Sequence, residues 1–224
     1  MKKISLFLIL FISFFSITED REVVFEGKKF VITLPEGYCD QTDELMGRLY
    51  LPQIKQNLVN IGETDITPVM TFSSCDHEFN FLGTNYPLGW ITLQRDGKWS
   101  QNELNLFMAN AVVEQSFIDE VNKVTSKGLE KSFKDMGVRS KFKGSTANDN
   151  GWHWGDEYVG IFSMVNEGLV DGEVIKERGM SAFTIVGKYQ ISLYISNELN
   201  SDVDYEVLIY ELAINGENLA KRNR

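Results

Sequence analysis

The spacing of apolar residues in this chain changes from a helical period to a strand period after Gly137. Beyond that point apolar side chains recur at every second position, most clearly at Tyr189, Ile191, Leu193 and Ile195. Successive side chains of a strand point to opposite faces, so this alternation is typical of a sheet with one covered face. We therefore predict consecutive antiparallel strands at residues 138–144, 152–165, 173–186 and 188–196.

Helical spacing of apolar residues predicts three helical segments. The first covers residues 40–60, which Pro52 would kink or split. The second covers residues 97–137 as one long helix or two in series, and it begins at the capping box of Ser100 and Glu103. The third covers residues 202–214, and its predicted apolar face consists of Val203, Val207, Tyr210 and Ile214.

The N-terminal half adds strands at residues 22–25, 30–34, 66–72 and 90–93. The predicted fold class is therefore α+β, with an antiparallel-rich sheet covered by a long central helix and a C-terminal helix. Residues 19–224 contain no repeat or linker, so we predict one globular domain.

Residues 1–18 have the layout of a secretory signal peptide. Lys2 and Lys3 precede an apolar run of about 14 residues, and a charged stretch begins at Glu19. The run is shorter than the roughly 20 residues that a membrane-spanning helix needs. We expect an exported protein, periplasmic or extracellular, that has no stable membrane insertion once the signal is cleaved.

The charge of the chain argues against nucleic acid as a partner. The formal net charge is −10, and it becomes −12 without residues 1–18, which hold two lysines and no acid. Binding to nucleic acid or an anionic membrane needs a basic face. An acidic surface instead suits a soluble exported protein or one that meets a basic partner.

The chain has two cysteines, Cys39 and Cys75. After export to an oxidising compartment, a single disulfide is the better interpretation of such a pair. Each cysteine follows a predicted strand, with a helix between them. If those strands are parallel neighbours in a βαβ unit, their carboxyl ends would bring the two sulfurs together.

The order of elements resembles the PsbP-like family, which comprises the extrinsic photosystem II subunit and exported bacterial relatives. The resemblance lies in residues 30–38 (Phe-Val-Ile-Thr-Leu-Pro-Glu-Gly-Tyr) and in the hairpin at 182–194 with Gly187-Lys188-Tyr189 at its turn. It implies an α/β/α sandwich and an accessory, binding or assembly role. It carries no site residues over to this chain.

Catalytic motifs are missing from the sequence, so we name no catalytic residue and no cofactor. There is no nucleophile elbow, zincin motif, P-loop or dinucleotide fingerprint. Cys75-Asp76-His77-Glu78 has a composition suited to a divalent metal, and a polar loop beside a disulfide is the alternative. Whether His77 with Asp76 and Glu78 binds a metal stays open at this point.

Trp152, His153 and Trp154 form the candidate ligand or partner patch. On a regular strand both indoles would share one face and His153 would take the other. Paired indoles stack on ligands or anchor partners, and the alternative is that they cap the sheet.

We therefore expect an exported, non-enzymatic accessory protein that binds a protein or small ligand. Its alternatives are a secreted hydrolase with an unrecognised site and a periplasmic immunity or adaptor protein.

Overall fold

The computed structural model describes residues 20–60, 62–75, 88–95, 98–111, 119, 122–123, 126, 140–146, 151–170, 173–198 and 204–224. Within these residues the strands are β1 (Asp20–Phe25), β2 (Lys28–Thr33), β3 (Tyr38–Asp40), β4 (Ile66–Ser74), β5 (Leu88–Arg95), β6 (Ser140–Thr146), β7 (Trp152–Gly155), β8 (Gly160–Val170), β9 (Glu173–Val186) and β10 (Tyr189–Glu198). The helices are α1 (Leu45–Asn60), α2 (Gln101–Ala111) and α3 (Tyr205–Asn223). The predicted signal peptide, the cluster at Asp76, His77 and Glu78, and most of the predicted helix beyond Ala111 lie outside the described residues.

One antiparallel sheet organises the fold, with strand order β3-β4-β5-β10-β9-β8-β6 and β7 paired to β8. The β1–β2 hairpin forms a separate two-stranded sheet. Its two-residue turn places Glu26 at φ 50° and Gly27 at φ 77°, which matches the right-handed twist of the flanking strands. The fold class is α+β, as predicted, with the C-terminal helix on the sheet.

The predicted strand at 152–165 is in fact two strands, because the chain turns between β7 and β8. The Asp156 carboxylate causes this turn by accepting hydrogen bonds from the backbone N–H groups of Tyr158 (2.7 Å) and Val159 (3.0 Å). A side chain that bonds its own backbone two residues on is a turn signal that competes with strand continuation.

The main core lies between the sheet and a layer made by α3 and the β1–β2 hairpin. Its fully buried members include Phe30, Ile32, Phe72, Leu93, Ile161, Ile191, Leu193, Ile195 and Leu212. On the other face α1 packs along β4, and α2 packs beside β7 and β8. The Gln101 side chain joins α2 to β9 by accepting from the Ile185 N–H (2.7 Å) and donating to the Phe183 carbonyl (3.1 Å).

Helix α3 differs from its prediction in both length and orientation. Asn215 and Gly216 do not end it: the Asn215 side chain donates to the Glu211 carbonyl (2.7 Å), and the helix continues to Asn223. Its buried face consists of Leu208, Leu212, Asn215, Gly216, Leu219, Ala220 and Asn223. The predicted apolar face is wrong, because Val207, Tyr210 and Ile214 are exposed; Val203 lies outside the described residues.

The small residues of α3 explain which stripe is buried. A Cβ added at Gly216 would lie 2.4 Å from Cγ2 of Val159, so the helix approaches the sheet closely at this position. The face with Val207, Tyr210 and Ile214 has no such small residue. Close packing therefore selects the face with Gly216 and Ala220.

Cys39 and Cys75 form a disulfide in the structure, with their Cα atoms 5.0 Å apart. Cys39 lies in β3 and Cys75 directly follows β4, and these strands are antiparallel neighbours rather than members of a parallel βαβ unit. Cys39 pairs with Ser73, and the Cys75 N–H donates to the Gly37 carbonyl (2.8 Å), so the cysteines are diagonal neighbours. With a sequence separation of 36, the bond stabilises the fold by about 3–4 kcal/mol in the chain-entropy model.

Among the described residues, every helix is too short or too polar to span a bilayer.

Candidate functional site

A β-bulge at His153 divides the predicted patch between the two faces of the sheet. Trp152 pairs with Phe162 and Trp154 pairs with Ile161, so two residues of β7 oppose one residue of β8. Trp152 therefore lies on the face of Phe162, whereas Trp154 lies on the α3 face with Ile161. The expectation that both indoles share one face is wrong, because it assumed an unbroken period of two.

Trp152 packs against the protein. Its ring lies over Gly155 and Gly160, where an added Cβ would come within 2.7 Å and 2.8 Å of the indole. Beside it, the Asn105 amide donates to the Asp156 carbonyl (2.7 Å), which ties α2 to the turn after β7. The two glycines thus make room for the indole, and Trp152 caps this edge of the sheet.

Trp154 and His153 remain accessible. Trp154 is 43% exposed. His153 is exposed as a residue, but its ring is turned toward the sheet, where Nε2 lies 2.6 Å from Oγ of the buried Ser163 on β8. This partial burial of the ring, and secondarily the positive charge of Arg178, lowers the pKa of His153, so the imidazole is neutral at pH 7.

A base in contact with a hydroxyl is one part of a nucleophilic site. The part that orients the base is missing from the described residues, where Ser163 is the one hydrogen-bond partner of the His153 ring. Ser163 also sits within a regular strand, its N–H donating to the Gly151 carbonyl (2.7 Å). The arrangement supplies a hydroxyl and a neutral imidazole, without a described carboxylate.

In the cluster Cys75-Asp76-His77-Glu78, Cys75 forms the disulfide, as predicted, and was not one of the proposed metal ligands. The other three residues lie outside the described part of the chain. Within the part that is described, no three histidine, cysteine or acidic side chains are arranged to hold a metal ion.

An acidic cleft of about 470 Å³ is a feature that sequence reasoning missed. The carboxylates that line it surround one guanidinium, that of Arg21, and the lining residues are Asp20, Arg21, Glu22, Asp40, Asp43 and Glu44. Arg21 pairs with Asp40 (2.5 Å) and Asp43 (3.1 Å). Because β1 and the β3–α1 segment meet only in the folded chain, sequence spacing gave no signal for this cluster.

The outer face of α3 exposes apolar side chains that the sequence analysis assigned to the buried face of this helix. Val207, Tyr210 and Ile214 are 52%, 67% and 40% exposed. Their spacing of three and four residues puts them on one side of the helix, opposite Leu208, Leu212 and Leu219. We call these three residues the outer stripe.

Comparisons with known proteins leave the family open. No protein-family profile matches the chain, and no curated protein does. The crystal structure of the Ran-binding protein Mog1p of Saccharomyces cerevisiae aligns at 8% identity over 92% of this chain and 93% of that chain, with a TM-score of 0.33. A mutant of the protein Mog1 aligns over the same shares at 8% identity, with a TM-score of 0.32. At these values the similarity assigns neither a family nor a function.

Proposed function

We propose that this chain is an exported, non-enzymatic binding protein that holds a partner protein against the outer stripe of α3. The observation that carries the proposal is the exposure of Val207, Tyr210 and Ile214 on the side of the helix that faces away from the core. Large exposed apolar side chains grouped on one helix face mark interaction surfaces more often than scattered ones do. Tyrosine is also enriched among residues that dominate binding energy.

The charge around the outer stripe defines the chemistry of the partner. Asp204 and Glu206 are exposed at the start of α3, and Glu211 and Glu217 lie along its flanks. Of these acids, Glu217 is paired with Lys221. With a net charge of −10, the chain favours a cationic amphipathic segment, whose apolar side fits the stripe and whose charges meet the acids. An immunity or adaptor protein that holds a basic partner is one form of this function.

A designed lysine–leucine amphipathic helical peptide, labelled for fluorescence anisotropy, tests the surface directly. Its control is the same peptide with every lysine replaced by glutamate. We expect saturable binding of the cationic peptide and at least tenfold weaker binding to Tyr210→Ala. Val24→Ala, which alters an apolar side chain 69% exposed on the β1–β2 hairpin, serves as the matched variant and should bind normally. Equal binding of both peptides, or unchanged binding to Tyr210→Ala, would contradict the proposal.

Export is supported by the signal-like layout of residues 1–18 and is tested separately. Fractionation of the native cells should place the protein outside the cytoplasm. N-terminal sequencing should show that the mature chain starts near Glu19. A cytoplasmic protein that keeps Met1 would contradict export while leaving the binding surface in place.

A secreted hydrolase is the second candidate, favoured by the contact between His153 and Ser163. An ester and phosphoester panel separates the two functions. Under the binding proposal, the wild type and Ser163→Ala give the same background hydrolysis. Turnover that disappears in Ser163→Ala but persists in Ser192→Ala would favour the hydrolase.

A further inference from the structure

Arg178 and Asn197 lie directly opposite each other on β9 and β10. Both follow the alternation of the core-facing residues Met180 and Ile195, so their side chains point to the α3 face. Opposed residues in an antiparallel pair have Cβ atoms about 4.5–5.5 Å apart, so the two side chains start from adjacent positions on the same face of the sheet. This pair belongs neither to the outer stripe nor to the acidic cleft.

Asn197 is fully buried, and both its Oδ1 and its Nδ2 lack a hydrogen-bond partner. A buried polar atom without a partner destabilises the fold, because it has lost its hydrogen bonds to water and gained none in the protein. Native structures contain few such atoms, and each one calls for an explanation. An amide with both a donor and an acceptor unused matches a ligand that offers one of each.

Among the described residues, no ion pair joins Arg178 to a carboxylate, although the chain is strongly acidic. Lys176, two positions away on the same face of β9, does have one in Glu167 (3.0 Å). The Arg178 guanidinium instead stacks on the ring of Tyr205, 4.0 Å from its centroid. Stacking fixes the plane of the guanidinium and leaves the N–H groups at its edge available for a bidentate carboxylate.

We propose that Arg178 and Asn197 form a binding site for a carboxylate that carries a neighbouring amide, as in an N-acylated amino acid or the C-terminal residue of a peptide. The carboxylate pairs with the Arg178 fork. The N–H and C=O of the adjacent amide pair with Oδ1 and Nδ2 of Asn197. A simple carboxylate offers no hydrogen-bond donor and would leave Oδ1 of Asn197 unpaired.

Access to the site is uneven. Arg178 is half-buried and reaches the surface, whereas Asn197 is fully covered. Binding therefore includes a local opening beside Asn197, and we expect association slower than diffusion allows.

Side-chain NMR of the purified protein tests the site, with N-acetylglycine as the probe. We expect saturable shifts of the Asn197 side-chain NH₂ and the Arg178 Nε–H signals. Acetate lacks the amide and N-acetylglycinamide lacks the carboxylate, so both should bind at least tenfold more weakly. An N-acetylated tetrapeptide with a free C-terminus tests whether the site accepts the end of a polypeptide. A closed site would bind N-acetylglycine and not the tetrapeptide. No saturable shift with either acid, or equal shifts with N-acetylglycinamide, would overturn the proposal.

Variants separate binding from packing. Arg178→Gln should weaken N-acetylglycine binding at least tenfold, whereas Lys176→Gln removes the same charge and should leave it within twofold. Asn197→Leu should abolish binding and raise the urea midpoint of the unliganded protein, because it removes two unpaired polar atoms. A lowered midpoint for Asn197→Leu, together with unchanged probe binding, would show that a buried water satisfies the amide and would overturn the proposal.

Discussion

The two faces of α3 have similar apolar content, but one is buried against the sheet and the other is exposed. The inner face buries Leu208, Leu212 and Leu219 to 3% exposure or less, whereas the outer stripe leaves Val207, Tyr210 and Ile214 at 40% or more. The inner face also buries Asn215, Gly216 and Asn223, which a hydrophobicity pattern assigns to the outside. The comparison teaches that close approach and specific hydrogen bonds, rather than apolar content, decided which face meets the sheet.

The largest expected difference between the two faces is in the stability that is lost when a large apolar side chain is replaced by alanine. Leu212→Ala removes a fully buried side chain and should lower the free energy of unfolding by about 2–5 kcal/mol. Ile214→Ala, two residues away on the outer stripe, should change it by less than about 0.5 kcal/mol. Urea denaturation of both variants measures the contrast. Equal losses would mean that the outer stripe is also covered in solution.

The next effect concerns a polar residue on the inner face. Asn223 Oδ1 accepts from the Val31 N–H (2.7 Å), and its Nδ2 donates to the carbonyls of Val31 and Leu219 (both 2.8 Å). Asn223→Ala should therefore destabilise the fold by about 1–3 kcal/mol, because both polar groups of Val31 lose their partner. Asn218→Ala, exposed on the same helix, is the control. If chemical denaturation gives the two variants the same midpoint, the hairpin is not held by Asn223.

Gly216→Ala tests close approach. Alanine favours the helix by about 1 kcal/mol over glycine. The new Cβ would nonetheless lie 2.4 Å from Cγ2 and 3.1 Å from Cβ of Val159, a β-branched side chain that moves little. Overpacking costs about 1–3 kcal/mol, so we expect a net loss of about 1 kcal/mol in the unfolding free energy. A rise in the melting temperature would show that the helix is not held this closely.

The smallest effect lies at Glu211, on the boundary between the faces. Burial raises the pKa of Glu211, and the nearby charge of Glu36 raises it further. Since the folded state disfavours the charged carboxylate, its penalty is present above the folded pKa and disappears as pH falls below the ordinary value near 4.5. Glu211→Gln should thus raise the melting temperature slightly at pH 7 and not at pH 4.

Glu206→Gln is the control for the loss of one charge at the exposed start of α3. A gain for Glu211→Gln that is the same at pH 4 and pH 7 would rule out the proposed electrostatic origin.

Local pattern predicted much of the sheet. The alternation at 188–196 led to β10, and the run at 173–186 coincides with β9, because strand periodicity depends on adjacent residues alone. Register did not follow from pattern: the bulge at His153 split the tryptophans between faces, and Asp156 broke a predicted strand. Of the candidate site, Trp154 and His153 are exposed, whereas Trp152 is half-buried against Gly155 and Gly160. The outer stripe was visible in the sequence but assigned to the wrong side of α3.

The sequence by itself determined the α+β class, the antiparallel half of the sheet and the single possible cysteine pair. These depend on period, turn residues and composition, which are local properties of the chain. Only the tertiary structure decided which face of α3 is buried, how the carboxylates of the acidic cleft meet, and that Arg178 faces Asn197. Those outcomes depend on strand register and on distances between segments far apart in sequence, and a residue's neighbours along the chain do not specify either one.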